Sequence, residues 1–161
     1  MSNAHPYDRL TPELVIEAVE SRGLLSDMRL LALNSYENRV YQVGIEDGEP
    51  LVAKFYRPER WSREQIAEEH AFTRELADAE ISVVAPLAFD GETLGEYEGF
   101  LFALFPRRGG HAPELDNPDN LLVLGRTVGR MHAVGQARPF THRLTMSPQR
   151  WLTGSYQLVC E

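Results

Sequence analysis

With 161 residues, 43% of them apolar, the chain is long enough to build one compact core, and its net charge of −8 argues against general binding to nucleic acids or anionic membranes. No apolar run approaches the roughly 18 to 20 residues of a membrane span. Cys160 is the sole cysteine, which excludes an internal disulfide and makes the reducing cytoplasm the default location.

The first part of the chain predicts a helix followed by three strands. Residues 1–10 read as a flexible lead, and Thr11-Pro12 is typical of a helix N-terminus. An apolar stripe follows and ends at Gly23. Strands are predicted at residues 28–33, 39–43 and 51–57, with the last two joined by a turn at Asp47-Gly48.

The next part predicts a longer helix, more strands and a second helix. Ser62 and Gln65 form a capping box that opens a helix ending near Asp78. Strands are predicted at residues 83–85, 87–89 and 100–105, with a turn at Asp90-Gly91, and a Pro/Gly-rich joint follows. Asn117-Pro118 begins the second helix. Its predicted inward side chains are Leu121, Leu122, Leu124, Val128, Met131 and His132. This order predicts a mixed α+β lobe followed by a helical region.

Lys54 lies in a strand that is otherwise apolar. Because strand side chains alternate, Ala53 and Phe55 fall on one face, and Val52 and Lys54 on the other. A lysine in such a strand either reaches solvent or meets a carboxylate or a phosphate. The pattern therefore leaves two alternatives open: a partly exposed lysine at a strand edge, or a lysine that serves a site.

Glu69 is the predicted partner of Lys54. At 100° per residue it falls in the middle of an apolar sector that includes Ile66 and Leu76, whereas Glu68 lies at the edge of that sector. A carboxylate that faces apolar surroundings is stabilised most by an opposite charge. The pair would leave the ammonium able to donate to a ligand phosphate as well, and a buried ion pair without a ligand is the alternative.

Two backbone segments are candidates for the rest of an anionic ligand site. In the loop at residues 34–38, backbone N–H groups, the Ser35 hydroxyl and the amides of Asn34 and Asn38 could cover phosphate oxygens. The loop has no glycine, and Glu37 would repel a phosphate unless it points away, so an ordinary hairpin loop is the alternative.

The second segment is the joint that begins at Phe105. Its carbonyl, followed by Pro106 and by the N–H of Arg107, offers an acceptor and a donor to the edge of an adenine. An ordinary linker explains the same composition.

The histidines and tryptophans suggest no metal or cofactor. His5, His70, His111, His132 and His142 show no metal-ligand spacing, and we expect them at the surface or at helix ends. Trp61 and Trp151 are interpreted as packing residues.

Three segments resemble one known family. LNSYENRVY at residues 33–41, VAKFYRPERW at 52–61 and GRTVGRMH at 125–132 are similar to the bacterial stress response kinase A family. That family belongs to the superfamily of choline kinases and aminoglycoside phosphotransferases, whose fold resembles that of eukaryotic protein kinases. The resemblance extends from about residue 10 to about residue 143.

The resemblance implies the ATP-binding part of a serine/threonine protein kinase that uses ATP and Mg²⁺. Its N-lobe, a sheet of about five antiparallel strands with an αC-type helix, would be residues 11–105, followed by a hinge and linker at 106–116 and the start of a truncated helical C-lobe at 117–161. Ser35 and Asn34 would cover the phosphates, Lys54 would bind them, and Glu69, with Glu68 as the fallback, would orient Lys54. The hinge contacts would come from Phe105 and Arg107.

The sequence departs from the family pattern after the second helix. No aspartate follows Asp119, so the catalytic aspartate and the metal ligands of the family are expected beyond Glu161, and no catalytic or metal-binding residue is expected here. The fragment should be inactive, and its parent is expected to be a monomer that phosphorylates protein hydroxyls. A small-molecule phosphotransferase on the same scaffold and a non-catalytic nucleotide-binding module are the alternatives.

Overall fold

The computed structural model describes residues 5–153 and Tyr156. Its helices are α1 (Pro12–Glu20), α2 (Arg63–Asp78) and α3 (Pro118–Gly135), with a short π-helical turn at Gln149–Thr153. Its strands are β1 (Ser26–Leu33), β2 (Arg39–Ile45), β3 (Leu51–Phe55), β4 (Gly95–Tyr97) and β5 (Phe100–Pro106). All pairs in the β1-β2-β3-β5-β4 sheet are antiparallel, which confirms the predicted α+β class.

The three helix starts form as their sequences predict. The Thr11 hydroxyl accepts from the backbone N–H of Leu14, and Ser62 and Gln65 exchange both bonds of a capping box. The Asn117 side chain accepts from the N–H of Asp119, two residues into α3. These side chains satisfy N–H groups that have no partner within the helix.

The two faces of the sheet have different neighbours. Ala53 and Phe55 point into the main core, with Phe102 of β5 and with Val15 and Val19 of α1. The opposite face carries Val40, Lys54 and Ala103 at paired positions of β2, β3 and β5. Ile66 of α2 packs against Ala103 on this second face. The predicted alternation of β3 is therefore confirmed, and Lys54 lies on the side of α2.

The start of the described chain belongs to the folded lobe. Tyr7 and Leu10 are buried in the main core, and the Tyr7 hydroxyl donates to the carbonyls of Glu37 and Phe55. The prediction of a flexible lead is therefore wrong for residues 5–10, because an aromatic ring with two hydrogen bonds fixes them. Residues 1–4 of that lead lie outside the described residues.

The segment before β5 differs from the prediction. Residues 83–85 and 87–89 form no strand: Leu87 donates one bond to the carbonyl of Leu104, and Pro86 has no N–H with which to extend pairing. The strand beside β5 is instead β4, joined to it by a two-residue turn at Glu98 and Gly99. Both turn residues have positive φ, as a hairpin of this length requires.

Helix α3 contacts the end of α2 and leaves its apolar side chains exposed. Arg130 donates to the carbonyls of Ala79 and Glu80. The predicted inward stripe is not buried, since exposed side chains include Leu121, Leu122, Leu124 and Val128, and none of the described elements covers them. Within the described range, every helix is too short or too polar to cross a lipid bilayer.

Candidate functional site

Lys54 of the central strand β3 and Glu69 of α2 form an ion pair on the second sheet face. The Nζ of Lys54 lies 3.7 Å from Oε1 of Glu69, with exposed side-chain fractions of 24% and 38%. The Lys54–Glu69 pairing that strand and helix periodicity predict is present. The prediction that the Glu69 carboxylate faces the core is wrong, because its side chain is 38% exposed. The separation exceeds hydrogen-bond length, so the ammonium keeps its three donors for other acceptors.

The Lys54 ammonium also lies over an aromatic ring. Its Nζ is 4.7 Å from the centroid of Tyr56, which is buried at the end of β3. A cation at this distance is attracted by the electrons of the ring face. The ring thus supports the ammonium from one side and Glu69 from another.

An apolar cleft opens beside the ammonium. It has a volume of about 320 Å³, and its walls are Val40, Val52, Lys54, Val84, Phe105, Pro106 and Arg108. Apolar side chains from β2, β3 and β5 form most of this wall, and Lys54 and Arg108 are its charged residues. A flat heteroaromatic ring with an anionic tail fits such an arrangement chemically, because the ring needs an apolar slot and the tail needs a cation.

The end of β5 presents its backbone differently from the prediction. Tyr56 donates to the carbonyl of Leu101, and in the β3–β5 register Val52 opposes Phe105. Because hydrogen-bonded pairs alternate along an antiparallel ladder, the Phe105 carbonyl is directed at Val52. The carbonyl that points away from β3 is therefore that of Pro106, one residue later than we had predicted. The Phe105 side chain itself lines the cleft.

Hydrogen bonds to both the side chain and the backbone carbonyl of Glu37 fix the loop at residues 34–38. The Glu37 carboxylate accepts from Nε1 of Trp61 at 2.8 Å and from Nε of Arg60 at 3.1 Å, and its carbonyl accepts from Tyr7. The Trp61 bond, followed by the charge of Arg60, lowers the pKa of Glu37. The Arg60 guanidinium and the Trp61 N–H therefore balance the charge of the Glu37 carboxylate. This reduces the repulsion between Glu37 and a phosphate, which the sequence led us to expect.

The hydroxyl of Ser35 donates to the carbonyl of Asn38 at 2.8 Å, and the Asn38 side chain accepts from the N–H of Arg57. Asn34 is exposed. Ser35 and Asn38 therefore stabilise the shape of the loop, and the Asn34 side chain is accessible to solvent.

Glu68, the fallback partner of Lys54, is used elsewhere. Its carboxylate accepts from the backbone N–H groups of Thr141, His142 and Arg143, at 2.6 to 2.9 Å, and from the Thr141 hydroxyl at 3.0 Å. Desolvation would raise the pKa of Glu68, but these four bonds together lower it to about 2. Glu68 therefore holds the chain after α3 against α2.

Arg143 is a site residue that the sequence reasoning missed. Its Nη1 donates to Oε2 of Glu69 at 2.9 Å, and its guanidinium lies 4.4 Å from the ring centroid of Trp61. Arg143 follows α3 in a segment with no regular pattern, so periodicity gave no signal. The single available signal was its basic charge at the end of the segment that resembles the family.

His70 is buried in the middle of α2, which contradicts its expected place at the surface or at a helix end. It is 3% exposed, its Nε2 bonds the Tyr56 hydroxyl at 2.7 Å, and its Nδ1 bonds the Thr93 hydroxyl at 2.8 Å. Desolvation lowers the pKa of His70 to about 4 and raises that of Tyr56. The neutral imidazole of His70 is therefore bonded to the neutral hydroxyl of Tyr56, and it holds in place the Tyr56 ring that lies beneath Lys54.

A metal site is not found in the described part of the chain. It contains no group of three or more His, Cys, Asp or Glu side chains that could hold an ion. The residues present thus fit a nucleotide base and phosphates, but they do not form a Mg²⁺ site.

Comparison with known sequences identifies relatives over most of the chain. Residues 29–159 match the phosphotransferase enzyme family, APH. Serine/threonine protein kinase RdoA of Salmonella typhimurium is 50% identical over 141 residues, which are 88% of this chain and 43% of that protein. Stress response kinase A of Escherichia coli (strain K12) is 45% identical over 151 residues, 94% of this chain and 46% of that protein. The resemblance inferred from the three motifs is confirmed, and the chain spans less than half the length of these relatives.

Solved structures share the fold at low identity. A microcompartment-associated aminopropanol kinase matches with a TM-score of 0.66 and 19% identity, over 88% of this chain and 47% of that chain. Amicoumacin kinase hAmiN, in complex with AMP-PNP, Ca²⁺ and Ami, matches with a TM-score of 0.64 and 22% identity, over 83% and 42%. These matches support the kinase-like N-lobe as a fold.

Proposed function

This chain belongs to the phosphotransferase enzyme family, and on that premise we propose that it forms the ATP-binding part of a kinase. The observation that carries the proposal is that Lys54, which lines an apolar cleft, is paired with Glu69. Lys54 binds the α- and β-phosphates, and Glu69 orients its ammonium. Ser35, Asn34 and the backbone of their loop cover the phosphates. In such a reaction catalysis is largely positioning and stabilisation of charge.

The proposed adenine contacts follow from the β5 register. The Pro106 carbonyl accepts from the exocyclic amine of the base, and a backbone N–H two residues later, that of Arg108, donates to its ring. The backbone N–H groups of Arg107 and Arg108 form no hydrogen bond with any described residue, so both remain candidates for the donor. Phe105 contributes its side chain to the slot for the base.

The other parts of the reaction belong to the rest of the protein. We place the N-lobe at residues 5–105, the hinge and linker at 106–116 and the start of the C-lobe at 117–161. We propose that the ligands of Mg²⁺ and the aspartate that accepts the hydroxyl proton lie in the part of the relatives that this chain does not cover, since it spans 43–46% of their length. The isolated 161-residue chain is therefore expected to transfer no phosphate above background.

The proposed substrates are serine and threonine hydroxyls of proteins. Support comes from the 45–50% identity to relatives named stress response kinase A and serine/threonine protein kinase RdoA. A cytoplasmic role in a stress response is part of the same proposal. The alternative, a small-molecule kinase, is favoured by the names of the two structural neighbours, but these are only 19–22% identical.

The test is phosphate transfer by the full-length protein from Mg-ATP to a generic protein substrate, with an amino alcohol and an aminoglycoside as competing substrates. Lys54→Met should lower transfer by about 10²- to 10³-fold, as expected for loss of a group that stabilises charge in the transition state. Arg29→Met, which removes another cation from the same sheet, is the matched control. Unchanged transfer in Lys54→Met would remove Lys54 from the site, and transfer to the small molecules alone would select the alternative.

A further inference from the structure

We infer that Arg143 is a positioning residue of this site: it fixes the Glu69 carboxylate so that the Lys54 ammonium remains free to donate to a ligand phosphate. The inference rests on the proposed function for its purpose. The geometry on which it is based, a Glu69 carboxylate that accepts a hydrogen bond from Arg143 and none from Lys54, does not depend on a bound nucleotide.

The two cations are not equivalent partners of Glu69. Arg143 donates a hydrogen bond of 2.9 Å to Oε2, whereas Lys54 lies 3.7 Å from Oε1 and makes no hydrogen bond. A lysine with no competing partner can form a charge-assisted hydrogen bond of about 2.7–2.9 Å to a carboxylate, which occupies one of its three donors. With Glu69 held by Arg143, the lysine feels the negative charge without being bound by it.

Arg143 itself is held at both ends. Its backbone N–H donates to Glu68, and its guanidinium lies against the Trp61 ring, whose Nε1 bonds Glu37 in the proposed phosphate loop. A planar guanidinium suits this place because it can stack on a ring and donate to a carboxylate at the same time. The arginine thus joins the loop anchor to the Lys54–Glu69 pair.

The segment that carries Arg143, which we name the strap (residues 138–143), has further contacts with α2 that do not involve Lys54. Arg138 pairs with Glu75, and Gln65 donates to the His142 carbonyl at 2.9 Å. A substitution at Arg138 is therefore a matched control, because it also separates a strap arginine from an α2 glutamate, but away from Lys54.

The experiment uses the fact that Lys54 is the only lysine in the sequence. Labelling lysine with ¹³C and ¹⁵N gives a single side-chain ammonium signal in NMR spectra of the 161-residue chain, without assignment. In Arg143→Met or Arg143→Gln, the ammonium closes on Glu69, and its protons should exchange with water about two- to tenfold more slowly, as expected for one hydrogen bond gained. Met keeps an aliphatic stem and Gln keeps polarity, so either variant reports if the other does not fold.

Two controls separate positioning from general structure. Arg138→Gln should leave the ammonium signal as in the unmodified chain. In a Glu69→Gln background, Arg143→Gln should cause no further change, because the effect passes through that carboxylate. An unchanged signal in a folded Arg143 variant overturns the inference, and so does an equal change in Arg138→Gln.

A titration with AMP-PNP on the same samples tests the proposed function separately. Failure to bind would count against nucleotide binding and leave the exchange result valid.

Discussion

Trp61 donates its indole N–H to the Glu37 carboxylate at 2.8 Å, which links the segment before α2 to the loop between β1 and β2. The bond spans 24 positions in sequence and fixes the loop that precedes β2, the strand that pairs with Lys54 of β3. The same ring packs against Arg143. A residue interpreted from sequence as simple packing therefore connects three parts of the candidate site.

Trp61→Phe should weaken ATP binding by the full-length protein. The variant keeps a ring beneath Arg143 but removes the donor to Glu37, so the loop loses one charge-assisted bond and its order. We expect the KM for ATP to rise about tenfold or more, because a hydrogen bond to a charged group contributes about 1.5–3 kcal/mol. Trp151→Phe, at an exposed tryptophan, is the control. An unchanged KM would show that the loop anchor has no part in binding.

The stability of the chain should depend on pH through His70. Its pKa is lowered from 6.5 to about 4 by burial, so the unfolded state binds more protons than the folded state between these values. The free energy of unfolding should therefore fall as the pH decreases from 6.5 to 4, by up to about 3 kcal/mol in total. Urea unfolding of the chain at a series of pH values measures it.

The control variants for this pH dependence are His70→Gln and His142→Gln. The first should flatten the loss of stability in this window, and the second, at an exposed histidine, should retain it. Glu68 does not obscure the result near neutral pH, because its stabilising effect is lost only as the pH falls from 4.5 towards about 2. Equal slopes in both variants would exclude His70 as the source.

Tyr56→Phe should destabilise the fold although it removes a single oxygen. The hydroxyl bonds the buried Nε2 of His70, and its loss leaves that nitrogen without this partner. We expect a decrease of about 1–3 kcal/mol in the free energy of unfolding, the usual cost of an unsatisfied buried polar group. Tyr36→Phe, at a fully exposed side chain, should have no effect. Thermal or urea unfolding with the same stability in both variants would contradict the described bond.

Glu68→Gln should release the strap from α2. The amide keeps one acceptor oxygen but loses the charge that attracts three backbone N–H groups. Trypsin should then cleave after Arg143, which Leu144 follows, several-fold faster in limited proteolysis followed by mass spectrometry. Asp78→Asn removes a carboxylate from the end of α2 and serves as the control. Protection equal to that of the unmodified chain would show that other contacts hold the strap.

Local signals were sufficient for much of this fold. The helix starts at Thr11, Ser62 and Asn117 depend on side chains within three residues, and the β2–β3 hairpin depends on its own turn. The Lys54–Glu69 pair could also be predicted, because two periodicities, of a strand and of the next helix, each placed a charge among apolar residues.

Non-local contacts decided the features that the sequence did not reveal. The direction of the Phe105 carbonyl depends on its register with Val52 in β3, which no local pattern specifies. The burial of His70 depends on hydroxyls from two other segments, and the contact of Arg143 with Glu69 joins positions 74 apart. Strand β4 was missed because its turn uses Glu98-Gly99, which lacks the Asn-Gly or Asp-Gly signal.

The strap also has a consequence for synthesis. Domains fold as the chain emerges from the ribosome, and contacts between distant positions form after local ones. The sheet and α2 can assemble early, but Glu69 acquires its arginine only when position 143 has left the exit tunnel. In a nascent chain halted before that point, we expect Lys54 and Glu69 to be in direct contact. The Lys54 ammonium would therefore become free to bind a phosphate only after the whole N-lobe had been synthesised.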